Sequence, residues 1–167
     1  AIPGVEAVSE SGYSRTVTGA RGDHVLSVDL SGGEVRIVVP AAALGDLQQL
    51  VAATRRLLDL DADPAAITST LAAAHPAMAK IVAQAPGLRV PGQTSGFELA
   101  ARAILGQQVS VAGARTLALR LTERFGAKLD EPAGDLRLVF PRAEALAAAV
   151  PNELGMPRRR GLALVTL

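Results

Sequence analysis

Residues 96–121 read GFELAARAILGQQVSVAGARTLALRL, and they decide the architecture. The first part, FELAARAILG (97–106), has helical periodicity that points Leu99, Ala103, Ile104 and Leu105 inward. The second part runs on to Gly126 and sets Val111, Ala114, Leu117, Leu121 and Phe125 on one stripe. Gly126 is a suitable helix C-cap, and Ser110 a suitable N-cap. Two helices therefore meet at a tight junction, Gly106-Gln107-Gln108. A glutamine amide both donates and accepts hydrogen bonds. Projected from a rigid corner, it can enter a DNA stack and bond an orphaned base, while the N–H groups that follow Ser110 can face a phosphate. The same residues also make an ordinary polar turn with Ser110 as its cap. Both readings stand on the residues alone.

Upstream of this pair the pattern changes to strands. YSRTVTG (13–19) is β-prone, and HVLSVDLS (24–31) alternates Leu26, Val28 and Leu30 with Ser27 and Asp29. Ser31-Gly32-Gly33 supplies a turn, and EVRIVV (34–39) places Val35, Ile37 and Val39 on one face before Pro40 stops it. This is an antiparallel meander of about three strands, with no evident first partner strand. A helix follows, with Leu44, Leu47, Val51, Thr54 and Leu58 in step and Leu50 and Leu57 widening the stripe. Arg55 and Arg56 close it, where the helix dipole favours cations. Asp63-Pro64 opens a second helix, and a third runs from Pro76 to Gln84. APGLRVPG (85–92) is a linker.

Downstream, from Gly96 on, the chain reads as helical throughout. AKLDEPAGD (127–135) is a polar turn, Pro141 opens a helix, and NELG (152–155) is a further helical turn. Met156-Pro157 opens a last helix whose apolar face is carried by Leu162 and Val165. That face continues to the final residues, so an internal segment of a larger protein is expected. The organisation is 1–62 as an N-terminal α/β domain, 63–95 as helices and linker, and 96–167 as a helical region. The fold class is α+β.

Composition excludes several chemistries. The chain has 167 residues and no cysteine, so disulfides, thiolate metal sites and cysteine nucleophiles are out. His24 and His75 are too far apart for a histidine metal cluster. GxSxG, GxxxxGK[ST] and GxGxxG are all missing. Asp59, Asp61 and Asp63 alternate but lack the glycine and distal glutamate of a calcium loop, so helix-end and N-cap roles are expected. Glu98 is expected to complement a helix dipole. Apolar runs are too short for a membrane span, and no signal peptide is visible. The charge is uneven: residues 1–95 carry net −2, and residues 96–167, with 10 basic against 7 acidic side chains, carry net +3. A basic half favours an anionic partner only weakly at this magnitude.

The strings RRLLDLDADP, APGLRVPG, GFELAARAILGQQVSVAGARTLALRL, FPRAEALAAA and LGMPRRR together resemble 3-methyladenine DNA glycosylase II of the AlkA type. This family belongs to the helix-hairpin-helix glycosylase superfamily. The resemblance covers nearly the whole chain in order. It implies an N-terminal antiparallel sheet with a packed helix, then an incomplete all-helical glycosylase region. It implies base-excision repair in a bacterial cytoplasm: flipping an alkylated base such as 3-methyladenine and hydrolysing its N-glycosidic bond. The family's hairpin and catalytic Asp are expected beyond Leu167, so no catalytic residue is assigned here.

What the resemblance carries over is the wedge. The residue after GQ fills the gap left by the flipped base; here it is Gln108, supported by Gln107. Ser110, Arg158 and Arg159, with Arg160, are candidate contacts to the DNA backbone. Phe97, Phe125 and Phe140 are expected in the core, not in a base-stacking pocket. No cofactor or metal is implied. The expected partner is duplex DNA carrying alkylated bases, the expected state a monomer, and an upstream methyl-transfer regulatory domain occurs in some relatives. The alternatives are a non-catalytic duplex-binding module, an inactive fragment of such an enzyme, and a helical interaction protein unrelated to DNA.

Overall fold

A computed structural model describes residues 1–167. Four strands, β1 (Glu6–Val8), β2 (Gly12–Thr18), β3 (Asp23–Asp29) and β4 (Arg36–Val38), form one antiparallel sheet in sequence order. The meander is as expected, but the missing first partner exists. β1 pairs with β2 in the register Glu6↔Arg15 and Val8↔Tyr13. Its three residues are too few to show alternation, so the pattern hid it. In β3, Leu26 and Val28 are buried, but Leu30 lies past the strand end and is exposed. β4 is shorter than EVRIVV suggested, and Val35 is exposed.

After a 3-10 turn (Ala41–Asp46) come α1 (Leu47–Leu57), α2 (Pro64–Ala74) and α3 (Pro76–Gln84). The buried stripe of α1 is Leu50, Ala53, Thr54 and Leu57, while Leu44, Leu47 and Val51 are exposed. Leu50 and Leu57, expected only to widen the stripe, are its centre, and the small Ala53 completes it.

α4 (Gly96–Leu105) and α5 (Val111–Phe125) follow at the expected places. The all-helical expectation for 96–167 then fails. AKLDEPAGD is no loop: β5 (Ala127–Ala133) and β6 (Leu136–Val139) form a hairpin closed at Gly134, whose φ is +58°. Such a φ favours glycine. Leu136 and Leu138 alternate inward around exposed Arg137, the strand signal that the polar stretch before it obscured. α6 (Ala143–Ala147), a 3-10 turn (Pro151–Leu154) and α7 (Arg158–Val165) complete the chain.

The chain forms two compact units, 1–51 with 95–167, and 52–94. These cut the sequence differently from the segments 1–62, 63–95 and 96–167. The reason lies in the core of the larger unit. Ile2 and Val5 pack with Ala101, Leu105, Ala118, Leu121, Leu138, Phe140, Leu146, Leu154 and Leu164. The first residues thus share one core with the last helices. Hydrogen bonds tie the two sheets as well: Thr16 Oγ1 donates to the Leu138 carbonyl at 2.8 Å, and the Gly4 carbonyl accepts from the Arg137 and Leu138 amides at 2.9 Å each. Phe140 is buried, and Phe97 and Phe125 are half-buried against the same core, as expected.

In the smaller unit the aspartates hold the backbone. The Asp63 carboxylate caps α2 by accepting from the Ala65 and Ala66 amides. Asp61 pairs with Arg55. Asp59 sits at φ +52° and accepts the Val90 amide at 3.1 Å, drawing the APGLRVPG segment against the end of α1. Arg89 donates to the Asp59 and Ala62 carbonyls in the same place. No three metal-ligating side chains come together. No helix is long and apolar enough to cross a membrane.

Candidate nucleic-acid interface

The corner between α4 and α5 is built tightly. The Gly106 amide donates to the Arg102 carbonyl at 2.9 Å and ends α4. Ser110 starts α5: its Oγ accepts the Gly113 amide at 3.1 Å, and its carbonyl accepts the Ala114 amide. Ser110 is thus the ordinary cap that the residues alone allowed. Its hydroxyl remains exposed.

Between these caps Gln108 has φ +56°, in the left-handed region. A residue with a Cβ pays about 1–2 kcal/mol to be there. The side chain makes no hydrogen bond within the chain, and every residue from Gly106 to Ala112 is exposed. Val111, expected on the buried stripe of α5, is 90% exposed instead. The buried residues of α5 are Ala118, Leu121 and Thr122. The corner therefore protrudes. A groove of about 570 Å³, lined by His24, Val38 and Leu129 among others, lies between the main sheet and β5, away from the corner.

The three terminal arginines divide. Arg160 Nη2 donates to the Gln107 carbonyl at 2.7 Å. Arg158 and Arg159, in the first turn of α7, are exposed and unpaired. Cations at a helix N-terminus oppose its dipole, each by about 0.3–1 kcal/mol. The inward residues of α7 are Gly161 and Leu164, whereas Leu162, expected to face inward, is 52% exposed. So the structure brings Arg160 to the corner that carries Gln107, Gln108 and Ser110, while Arg158 and Arg159 precede it on α7 without a contact to that corner.

Pattern reasoning missed what lies behind it. Glu98, assigned to dipole complementation, is 3% exposed. It pairs with Arg15 on β2 at 2.5 Å and with Arg102 one turn along α4. Arg102 also reaches Glu6 on β1 at 2.9 Å, and Glu6 accepts the Tyr13 hydroxyl and the Ile2 amide, each at 2.7 Å. Arg15, 1% exposed, completes the ring with Glu6 at 3.8 Å. The inward stripe of α4 is consequently Glu98, Ala101 and Leu105, not Leu99, which is 54% exposed, nor Ala103. A charged residue on the core face defeats a periodicity that looks only for apolar ones.

Burial alone would raise the Glu6 carboxyl. The Arg102 charge and the bonds from Tyr13 and Ile2 outweigh it, and the pKa is lowered. Burial raises the Tyr13 phenol, and Glu6 adds to it. The Arg102 guanidinium is likewise raised: burial opposes its charge, but Glu98 and Glu6 prevail. A separate pair, His24 Nε2 to Asp46 Oδ2 at 2.8 Å, lowers the Asp46 carboxyl, chiefly through that hydrogen bond.

The backbone superposes on the 3-methyladenine DNA-glycosylase from Archaeoglobus fulgidus with a TM-score of 0.82 at 19% identity, over 99% of this chain and 57% of that one. The AlkA N-terminal domain model matches residues 1–95. The chain belongs to that family. It is 39% identical to the protein named bifunctional transcriptional activator/DNA repair enzyme AlkA of Mycobacterium tuberculosis, over 96% of this chain and 32% of that protein. It is 36% identical to the Escherichia coli DNA-3-methyladenine glycosylase 2, over 100% of this chain and 58% of that protein. The chain thus spans about a third to three fifths of the length of these curated relatives.

Proposed function

We propose that the chain forms the sheet and wedge-bearing part of a base-excision glycosylase acting on alkylated bases such as 3-methyladenine in duplex DNA. In this reading the segments 1–62, 63–95 and 96–167 are the family's N-terminal α/β domain, its connecting helices and the first part of its glycosylase domain. A fusion to an upstream regulatory domain is consistent with the name of the mycobacterial relative.

The observation that carries the reading is Gln108: exposed, unpartnered and held at positive φ on a protruding corner. A side chain that replaces a flipped base must be free of internal bonds and must leave a stiff backbone. Flipping costs a few kcal/mol of unstacking, which a polar wedge offsets by bonding the orphaned base. Arg158 and Arg159 directly precede Arg160 on α7 and oppose their own helix dipole, a placement that a DNA phosphate would make favourable. Ser110 and the first amides of α5 offer a second phosphate position. No residue of this chain is assigned to breaking the glycosidic bond.

The test is titration of the chain with a duplex containing an abasic-site analogue, with 2-aminopurine opposite the gap. Insertion of Gln108 should change the 2-aminopurine fluorescence, and Gln108→Ala should abolish the change and weaken binding by about tenfold, the worth of one or two hydrogen bonds. Equal binding and signal for wild type and Gln108→Ala would remove the wedge assignment.

A further inference from the structure

We propose that Arg160 is the positioning residue of the Gln108 corner, holding the peptide plane from which that side chain departs instead of binding DNA itself; the inference rests on the wedge reading above. The Gln107 carbonyl and the Gln108 amide belong to one planar unit. Fixing the carbonyl oxygen fixes the plane against which the φ of Gln108 is set. Arg160 Nη2 donates to that oxygen at 2.7 Å, and no other donor reaches it.

The rest of the junction does not hold this plane. Backbone bonds end with the Gln107 amide on the Ile104 carbonyl and resume with the Ala114 amide on the Ser110 carbonyl. Gln108 sits between them in a conformation that its Cβ disfavours. A charged donor from a separate helix is what remains to hold it there.

Arg160 springs from a firm base. Its own amide and that of Gly161 donate to the Pro157 carbonyl at 2.9 and 3.1 Å. Gly161 lies against the Pro151 carbonyl, closer than any side chain would permit. Leu164, one turn on, is 1% exposed in the core beside Leu146 and Leu154. The three consecutive arginines thus have two tasks: Arg158 and Arg159 face solvent, and Arg160 is committed to the backbone of the corner.

Two readouts on the full chain test this. The first needs no DNA. In Arg160→Ala, amide hydrogen exchange and 15N relaxation should show Gln108 and Val109 gaining motion while the far-UV circular dichroism is kept. Unchanged amides would overturn the proposal. Arg160→Met, which keeps the packed stem and removes the donors, gives the same reading if the alanine variant does not fold.

The second is a double-mutant cycle on the abasic duplex at several salt concentrations. Arg160→Ala should cost about tenfold in affinity. Adding Gln108→Ala should cost little more, and the dependence of log K on log salt should keep its slope. Additive losses with a slope reduced by about 0.9 would make Arg160 a phosphate contact and overturn the proposal. If the wild-type chain fails to bind the duplex, the wedge reading falls, and the amide measurement still decides whether Arg160 holds the corner.

Discussion

Glu98→Ala should be among the most damaging single changes in the chain. Its carboxylate is 3% exposed and faces Arg15, which is 1% exposed, and Arg102. Truncation leaves Arg102 its contact to Glu6 at 2.9 Å. Arg15 keeps its contact to Glu6 at 3.8 Å and its bond to the Thr16 carbonyl, and loses its closest carboxylate. Breaking a buried ion pair by removing one partner costs about 3–5 kcal/mol. Loss of a carboxylate in the first turn of α4 adds about 0.3–1 kcal/mol. We expect roughly 4 kcal/mol in all, and a midpoint lowered by roughly 10 °C for a chain of this size. Urea denaturation followed by far-UV circular dichroism measures it. A loss under about 1 kcal/mol would refute the reasoning, because the network would then behave like exposed ion pairs. The double variant Glu98→Leu/Arg15→Met supplies a stricter check. Much of the cost of breaking a buried pair is the charge whose counter-ion has gone, so removing both charges should recover much of the stability. A double variant as weak as the single would place the cost elsewhere.

Further outcomes follow from the same structure. Gly161→Ala would drive a methyl into the Pro151 carbonyl. It should destabilise by about 1–3 kcal/mol in thermal melts and, by displacing α7, loosen the Gln108 amide. The Glu6 carboxyl is lowered in the fold, so its contribution is present above the ordinary carboxyl value of 4.5 and is lost as pH falls through the depressed one. The Tyr13 phenol is raised, so its contribution holds below pH 10.0 and is lost as pH rises beyond it. Stability against pH, compared between wild type and Glu6→Gln, should show a shallower acid limb in the variant. Asp63→Ala removes the cap of α2 and should cost about 1 kcal/mol; hydrogen exchange should localise the loss to Ala65 and Ala66.

The sequence by itself determined the elements whose chemistry is local. Glycine, serine and proline at helix ends marked α2, α4, α5 and α7 to within a residue or two, because capping is decided by neighbouring atoms. β-propensity marked β2 and alternation marked β3, since a half-buried strand of seven residues repeats its period often enough to be seen. The adjacent glutamines of the corner were visible for the same reason. The missed features were short or polar strands, or depended on residues distant in the chain. β1 and the hairpin of β5 and β6 are short or polar, and become strands through partners that alternation does not reveal. Glu98 faces inward because Arg15, 83 positions away, meets it there. Arg160 separates from Arg158 and Arg159 only because folding brings the Gln107 carbonyl, 53 positions earlier, within hydrogen-bond reach. A buried charge is tolerable only beside its partner, and which partner it meets is a property of packing, not of spacing along the chain.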